Sequence, residues 1–290
     1  MSEDRFILLD AGASRPTSIP LPPGTTAKAG VADTDGRFTL IENHDGDDAL
    51  PHVHTFDEIV YVLDGELGVE FDGATHRLIQ GMCAFLPRGV THAVRRLSDA
   101  PTHALQLCTP GGWDGHHEDV VPYGTRYGVD GEITENGDKS RFYVLAKGEA
   151  RPGRLRVPPA FSSKVRSTDT EDRLSLLEMV VAQEIPRHVH HKADESIYVL
   201  DGELLVEFAD RVHPVTPGRF VLLPHGVRHA LRPGSTPPPR VLQISSPGGW
   251  ECFVEDLIEA RSRITTGGRF DARKLNPIAA KYDITYEEPS

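Results

Sequence analysis

The sequence predicts an all-β protein built from two tandem barrels or sandwiches, with one short helix near the C-terminus. Three observations lead to this fold class. The chain of 290 residues repeats itself at an interval of nearly half its length. Within each copy, short apolar segments rich in Val, Ile, Leu and Phe alternate with turn residues. Only the segment 251–263 carries a clear helical pattern. A chain of this length can bury two separate cores.

The repeat is recognised from four pairs of matching segments, which are 136 or 137 residues apart. They are "RFILLDAG" (5–12) with "RFYVLAKG" (141–148), "HVHTFDEIVYVLDGELGVEF" (52–71) with "HVHHKADESIYVLDGELLVEF" (188–208), "GMCAFLPRGVTHA" (81–93) with "GRFVLLPHGVRHA" (218–230), and "TPGGW" ending at Trp113 with "SPGGW" ending at Trp250. An interval of this size corresponds to a whole domain rather than to a solenoid unit. The polar segment 128–140 separates the copies, so we predict an N-terminal domain over 1–132 and a C-terminal domain over 133–290.

The strands of the first copy are predicted from apolar segments bounded by Gly, Pro and Asp. They lie near 37–42, 58–63, 66–71, 83–86, 91–96 and 103–108, with equivalents in the second copy. Many short strands at even spacing are typical of β-sandwiches and small barrels. Besides the helix near 251–263, a weaker helical pattern covers 116–121.

The composition argues against several classes of partner. Asp and Glu outnumber Lys and Arg, 43 to 31, and the formal net charge is −12. Nucleic acids and anionic membranes select basic surfaces, so we expect neither as a partner. No segment approaches the ~20 apolar residues of a membrane-spanning helix, and the acidic N-terminus is unlike a secretory signal. The three cysteines are scattered and suggest no disulfide framework, so we expect a cytoplasmic protein.

Both copies carry the same four polar residues: two histidines separated by one residue, a glutamate, and a later histidine after Pro-x-Gly. They are His52, His54, Glu58 and His92 in the first copy, and His188, His190, Glu195 and His229 in the second. Alternate side chains of a strand point to one face, which places His52, His54 and Glu58 together. Three imidazoles and a carboxylate suit Fe, Mn, Co, Ni, Cu or Zn, and the sequence does not choose among them. We therefore predict up to two divalent transition metal ions per chain.

The second copy contains one additional residue between its histidine pair and its glutamate. Glu195 follows His190 by five residues, one more than in the first copy. His191 is in phase with Glu195 and is therefore the alternative ligand. We favour His188 and His190 because they match the first copy, and this choice requires a loop or bulge that absorbs the extra residue.

Two further pairs of shared residues have open roles. Gln106 and Gln243 lie on a late strand of each copy, where the side chain faces either the metal site or the opposite side of the sheet. Lys28 and Lys164 follow Pro-rich segments. For the lysines a salt bridge is the favoured interpretation, and contact with a substrate is the alternative.

Two motifs, each present in both copies, resemble those of the cupin superfamily. The motif G-x5-P-x-G-x2-H is complete from Gly81 to His92 and from Gly218 to His229. The motif G-x5-H-x-H-x3-4-E-x6-G is matched from each histidine pair to its closing glycine. The resemblance covers nearly the whole chain and implies two cupin barrels, each a double-stranded β-helix or jelly roll. The "PGGW" segments and the chain ending are similar to quercetin 2,3-dioxygenase-like members.

The chain departs from the superfamily motifs at two places. The opening glycine of the first motif is shifted to Gly46 in the first copy and is missing in the second. The archetype also has an Asn four residues after the last histidine, and here Arg96 and Pro233 occupy that position. A role that depends on that Asn is therefore not expected in this chain.

The resemblance implies a metal-dependent dioxygenase of the quercetinase-like kind, which uses dioxygen on a hydroxylated aromatic or enolisable small molecule. Glu58 or Glu195 would then be both a metal ligand and the base that accepts the hydroxyl proton of the substrate. The same ligands also suit a non-redox cyclase, isomerase, dehydratase or lyase, in which the metal polarises a carbonyl. A non-catalytic bicupin that binds a small molecule is the third alternative. The resemblance further implies a pseudo-dimer of barrels within the chain and leaves a homodimer open.

Overall fold

The chain folds into two compact units, Ala13–Glu149 and Met1–Gly12 together with Ala150–Ser290. Each unit is built on two main β-sheets of five or six strands, so the predicted all-β fold with two barrels is confirmed. Strands β1 to β24 and helices α1 to α3 are numbered in chain order. The structure is a computed structural model that describes residues 3–17, 20–45, 49–113, 120–122 and 136–288.

The first unit is an antiparallel jelly roll. Its strands are β2 (Thr25–Ala29), β3 (Thr39–His44), β4 (His52–His54), β5 (Asp57–Asp64), β6 (Glu66–Phe71), β7 (Ala74–Ile79), β8 (Cys83–Leu86), β9 (His92–Arg96), β10 (His103–Thr109), β11 (Val120–Pro122) and β12 (Tyr143–Leu145), and α1 (Val31–Thr34) follows β2. One sheet has the order β12-β8-β5-β10-β3-β2 and the other β11-β4-β9-β6-β7. Val60, Leu86, Val69 and Leu78 belong to the core between the sheets.

The second unit repeats this architecture and adds helices. Its strands are β1 (Ile7–Leu9), β13 (Phe161–Val165), β14 (Ser175–Val180), β15 (Ile185–His190), β16 (Asp194–Asp201), β17 (Leu204–Phe208), β18 (Arg211–Val215), β19 (Phe220–Leu223), β20 (His229–Pro233), β21 (Arg240–Ser246), β22 (Thr265–Thr266), β23 (Arg269–Phe270) and β24 (Ile284–Tyr286). The main sheets have the orders β1-β19-β16-β21-β14-β13 and β18-β17-β20-β15-β24, and β22 pairs with β23. The helices are α2 (Trp250–Ile264) and α3 (Ala272–Ala279).

The matching segments 5–12 and 141–148 each complete the barrel of the other sequence copy. Strand β1 pairs with β19, and β12 pairs with β8. Both β8 and β19 are buried along their whole length, and a buried strand edge without a partner would leave backbone groups unsatisfied. The folded units therefore differ from the predicted domains in these two segments. The predicted boundary between 132 and 133 itself lies outside the described residues.

Two contacts fix each of these segments to its barrel. In the first unit, Arg141 Nη2 lies 2.9 Å from Asp57 Oδ2, and the ring of Phe142 stacks on Phe71 with centroids 4.0 Å apart. In the second unit, Arg5 Nη2 lies 2.7 Å from Asp194 Oδ2. The ring of Phe6 there stacks on Phe208, with centroids 4.2 Å apart. The "RF" dipeptide that opens each matching segment thus supplies one ion pair and one aromatic stack.

The predicted C-terminal helix is confirmed as α2, whereas α3 was not predicted. Pro277 lies inside α3, and a proline usually marks the end of a helix because it lacks an amide hydrogen. The helix persists because Asp271 caps its N-terminus by accepting from the backbone of Arg273, and because Leu275 is buried. The weaker helical pattern at 116–121 falls mainly outside the described residues, and Val120–Pro122 is strand β11. Among the described residues, no helix is long and apolar enough to cross a membrane.

Candidate metal centres

The four predicted residues of the first copy meet at one end of the first barrel. His52 and His54 lie on β4, Glu58 is the second residue of β5, and His92 begins β9. Direct pairing of His52 with His92 joins β4 to β9. One ligand atom from each side chain lies within 4.8 Å of the others. We call this set the first centre.

The glutamate is the hub of the first centre. Its Oε2 lies 3.0 Å from His54 Nε2 and 3.1 Å from His92 Nε2. The centroid of the His92 ring is 4.7 Å from that of each of the other two imidazoles. Glu58, His54 and His92 are all at most 2% exposed, and His52 is partly buried. The arrangement directs three imidazoles and one carboxylate toward a common point.

The second centre, formed by His188, His190, Glu195 and His229, reproduces this geometry in the second barrel. Its ligand atoms also lie within 4.8 Å of one another. Glu195 Oε2 is 3.0 Å from His229 Nε2 and 3.3 Å from His190 Nε2. The Nε2 atoms of His188 and His190 are 3.1 Å apart. Two imidazole nitrogens at that distance require a proton or a cation between them, since their lone pairs repel.

The structure places His190 rather than His191 in the second centre. His191 is exposed, and its Nε2 lies 2.9 Å from the Thr285 hydroxyl oxygen. The additional residue is absorbed after the histidine pair, where 191–193 connect the strands in place of the shorter 55–56. The loop that the sequence analysis required is therefore present.

Backbone carbonyls fix the tautomer of two histidines in each centre. The Nδ1 of His52 is 2.8 Å from the carbonyl oxygen of Leu50, and that of His92 is 2.9 Å from the oxygen of Val90. His188 and His229 make the same contact with the carbonyl two residues before them, at 2.9 and 3.2 Å. A carbonyl only accepts, so Nδ1 carries a hydrogen, and Nε2 is the nitrogen that can present a lone pair to a cation bound at the centre. This orientation is typical of histidine metal ligands.

The environment lowers the pKa of both glutamates and of four histidines, His52, His54, His188 and His190. Burial lowers the pKa of His52, His54 and His190, and lowers that of His188 well below its ordinary value with help from His229. Burial would raise the pKa of Glu58, but hydrogen bonds from His54 and His92 outweigh it and hold that pKa well below normal. The pKa of Glu195 is lowered in the same way.

A glutamine holds the other oxygen of each glutamate. Gln106 Nε2 donates to Glu58 Oε1, and Gln243 Nε2 to Glu195 Oε1, both at 2.7 Å. This resolves the open role of the glutamines, which face the centres. In the first barrel Asn43 Nδ2 donates to Gln106 Oε1 at 3.1 Å. Met179 occupies the equivalent position in the second barrel, and Gln243 Oε1 is buried there without a hydrogen-bond partner among the described residues.

The two lysines that the sequence copies share form ion pairs with glutamates outside the two centres. Lys28 Nζ is 2.5 Å from Glu42 Oε2, and Lys164 Nζ is 3.3 Å from Glu178 Oε2. Both lysine side chains are fully buried. The salt bridge favoured from the sequence is therefore present, and substrate contact has no support in this geometry.

Aromatic side chains border the centres, and sequence reasoning missed most of them. Phe56 stacks on His54 with centroids 3.9 Å apart. Tyr286 stacks on His188 at 5.0 Å, and Trp250 lies 5.3 Å from His190. Strand β24 brings Tyr286 to β15 by direct pairing. The separation of nearly a hundred residues left no local signal for this contact.

The donor set fits a divalent transition metal. In each centre the imidazole ligand atoms and one carboxylate oxygen lie within 4.8 Å of one another, and a glutamine orients the carboxylate. Imidazole with one carboxylate suits Zn, Cu, Fe and Ni as well as Mn and Co. The first and second centres are therefore both chemically suited to hold one ion each.

Comparison with known proteins places the two copies in one family. The family described as Cupin domain matches residues 39–109 and 175–244, the segments that contain the two centres. Quercetin 2,3-dioxygenase from Bacillus subtilis (strain 168) is 25% identical over 252 residues, covering 72% of this chain and 73% of that protein.

Solved structures share the fold at low sequence identity. Protein Ylba from E. coli superposes with a TM-score of 0.57 at 12% identity, covering 84% of this chain and 92% of that one. Salicylate 1,2-dioxygenase from Pseudoaminobacter salicylatoxidans in complex with gentisate gives 0.52 at 13% identity, covering 84% and 79%. The coconut allergen cocosin gives 0.57 at 13% identity, covering 84% and 86%. Two matched segments, each folded as its own jelly-roll barrel, make this chain a bicupin of the cupin superfamily that is similar in sequence to quercetin 2,3-dioxygenase.

Proposed function

We propose that this bicupin is a metal-dependent dioxygenase of the quercetinase-like type, acting on a hydroxylated aromatic or enolisable small molecule. One observation carries the proposal: a full set of three histidines and one glutamate is assembled at the same place in both barrels. Burying such a set without a cation would leave polar groups with poor hydrogen bonding in both barrels. The likeness to quercetin 2,3-dioxygenase, at 25% identity, supports the reaction class.

The histidines and glutamate of each centre would hold one divalent ion. Bound there, the ion would supply a Lewis-acidic and redox-capable position for a substrate oxygen and for dioxygen. The protein's part is to aim the Nε2 atoms of two histidines in each centre inward, through the carbonyl contacts of their Nδ1 atoms. Apolar neighbours such as Phe56 and Trp250 limit water at the centres, which strengthens every charge interaction there.

The glutamate of each centre is proposed as the general base. Gln106 and Gln243 each occupy one carboxylate oxygen, so Oε2 is the atom directed at the reacting position. The hydrogen bonds that lower the pKa of this carboxyl come from imidazole Nε2 atoms. Imidazoles that ligate a cation carry no hydrogen on Nε2, so the carboxylate would then lose those donors, and Oε2 would accept a substrate hydroxyl proton once released from the ion.

The test combines metal analysis with oxygen uptake. Protein purified without chelator and reloaded anaerobically should hold up to two ions per chain. An oxygen electrode then surveys flavonols and related phenols for substrate-dependent uptake. The proposal fails if metal-loaded protein consumes no oxygen with any enolisable phenol, or if it binds no transition metal.

The base is tested with Glu58→Gln and Glu195→Gln, made singly and together. Glutamine keeps the shape and an oxygen donor but removes the charge. We expect the variant of the active barrel to keep much of its metal and to lose at least about a hundredfold in rate, the usual contribution of a positioned base. His54→Ala and His190→Ala are the comparison, and should lose metal and activity together. Full turnover in the double glutamine variant would refute the role as base.

A further inference from the structure

A third group of metal-ligating side chains lies in the first barrel, away from the first centre. Glu42 and His44 are two residues apart on β3, and His103 on β10 is the direct cross-strand partner of His44. Because side chains alternate along a strand, these three share one face of the sheet. Asn43 and Gln106, which belong to the network of Glu58, lie on the other face. We call Glu42, His44 and His103 the outer cluster.

The three side chains of the outer cluster are already close. His103 Nε2 is 2.9 Å from Glu42 Oε1, and His44 Nε2 is 3.9 Å from Glu42 Oε2. The two imidazole rings stack with centroids 3.9 Å apart and planes 20° from parallel. Their three ligand atoms lie within 4.8 Å of one another. The glutamate is buried, while the side chains of His103 and His44 are 26% and 47% exposed, so an ion can approach from solvent.

The carboxylate of Glu42 has its two oxygens in different environments. Lys28 Nζ lies 2.5 Å from Oε2, and the Thr26 hydroxyl lies 3.3 Å from the same atom. Oε1 faces His103 instead. The lysine therefore neutralises the Oε2 side of the carboxylate, His103 meets Oε1, and His44 lies 3.9 Å from Oε2.

In the second barrel, other residues occupy the positions of the two histidines of the outer cluster. Glu178 and its buried Lys164 are the equivalents of Glu42 and Lys28. Val180 and Arg240 stand in place of the two histidines, since they are directly paired on β14 and β21. Arg240 Nη1 lies 2.9 Å from Glu178 Oε1, so a fixed cation contacts that carboxylate. In the first barrel, the imidazoles of His44 and His103 stand in place of this guanidinium.

We propose that the outer cluster binds a divalent metal ion of the zinc class, independently of the two cupin centres. Two imidazoles and one carboxylate are a common protein ligand set for Zn²⁺, with nitrogen and oxygen bonds near 2.0–2.2 Å. The ion takes the electrostatic place that Arg240 holds in the second barrel. Rotation of the exposed His44 side chain brings its Nε2 into bonding distance, and water completes the coordination on the solvent side.

The test uses the full-length chain and Zn²⁺ alone as the probe. His54→Ala with His190→Ala removes a ligand from each cupin centre and serves as the background. Into it are introduced His44→Val and His103→Arg, which copy the residues of the second barrel. Bound Zn²⁺ is counted by equilibrium dialysis with elemental analysis, and affinity is measured by titration calorimetry.

The background variant should bind one Zn²⁺ ion per chain at the outer cluster, and the added pair of substitutions should abolish that ion. In the otherwise unaltered protein, the same pair should lower the Zn²⁺ count by one and leave the other ions in place. Because His44 is exposed, His44→Val alone should keep the fold and weaken the site at least tenfold. Equal Zn²⁺ binding with and without the two substitutions overturns the proposal. So does a background variant that binds no Zn²⁺.

Discussion

Among the contacts of segment 141–148, the ion pair between Arg141 and Asp57 should contribute most to the stability of the first unit. The carboxylate of Asp57 is fully buried, and Arg141 Nη2 reaches its Oδ2 at 2.9 Å. The same guanidinium lies 5.3 Å above the ring of Phe85. Arg141→Ala removes both contacts and leaves the residues of β12 unchanged. The buried carboxylate then keeps two contacts with Arg88, from the backbone amide at 3.0 Å from Oδ1 and from Nη1 at 3.9 Å from Oδ2.

The magnitude follows from the burial of the two partners. Removing one member of a fully buried pair costs roughly 3–5 kcal/mol. The side chain of Arg141 is 27% exposed, and the two contacts with Arg88 keep part of the carboxylate satisfied, so a single charged hydrogen bond of about 2 kcal/mol is the better measure. For a unit of this size, that lowers the melting temperature by about 6 °C.

Urea unfolding followed by circular dichroism, together with calorimetry, measures this loss. Arg77→Ala is the matched control, because Arg77 pairs with Glu66 at an exposed position and should cost at most about 0.5 kcal/mol. Arg5→Ala, in the second unit, should cost less than Arg141→Ala, since two His225 donors remain on its partner. If Arg141→Ala is no more destabilising than Arg77→Ala, segment 141–148 does not stabilise the first unit through this ion pair.

Three further predictions concern the centres and the buried charges. His190→Ala should strip metal from the second centre while His191→Ala leaves occupancy near wild type by elemental analysis; the reverse would reassign the ligand. Metal-free protein should lose stability as the pH falls below about 6.5, because the pKa of buried His188 lies well below that value and the unfolded chain takes up protons first. Equal urea stabilities at pH 7.5 and 5.5 would contradict this. Lys28→Met should cost about 3–5 kcal/mol by leaving buried Glu42 without its lysine, and Glu42→Leu added to it should restore most of the loss, as judged by urea unfolding.

The fold was predictable because its two signals are strong and local. The apolar segments predicted the bounds of most strands to within a few residues, and the duplication predicted two barrels. The assignment of edge strands was not predictable. Segment 5–12 begins the first copy, yet β1 joins β19 of the second unit. Which barrel an edge strand joins depends on long-range packing, and its local pattern is the same in either place.

The candidate centres were predictable for a different reason. A single His-x-His carries little information, but its recurrence with a glutamate and a third histidine does. The role of Gln106 stayed open because it depends on register. Cys108 pairs with Glu58 across β10 and β5, which puts Gln106 on the face of the glutamate. Tyr286 was missed because only the return of the chain through α3 brings β24 to His188.

The duplication also separates residues that must be kept from residues that can change. The four donors are the same in both centres, whereas Asn43 behind Gln106 corresponds to Met179 behind Gln243. A ligand set functions only when complete, since losing one donor weakens the metal and exposes the remaining buried polar groups. A supporting residue alters only how firmly the glutamine, and through it the glutamate, is held. We therefore expect the two barrels to share their metal chemistry and to differ in the orientation of the proposed base, which makes rate and substrate preference the properties most free to diverge between them.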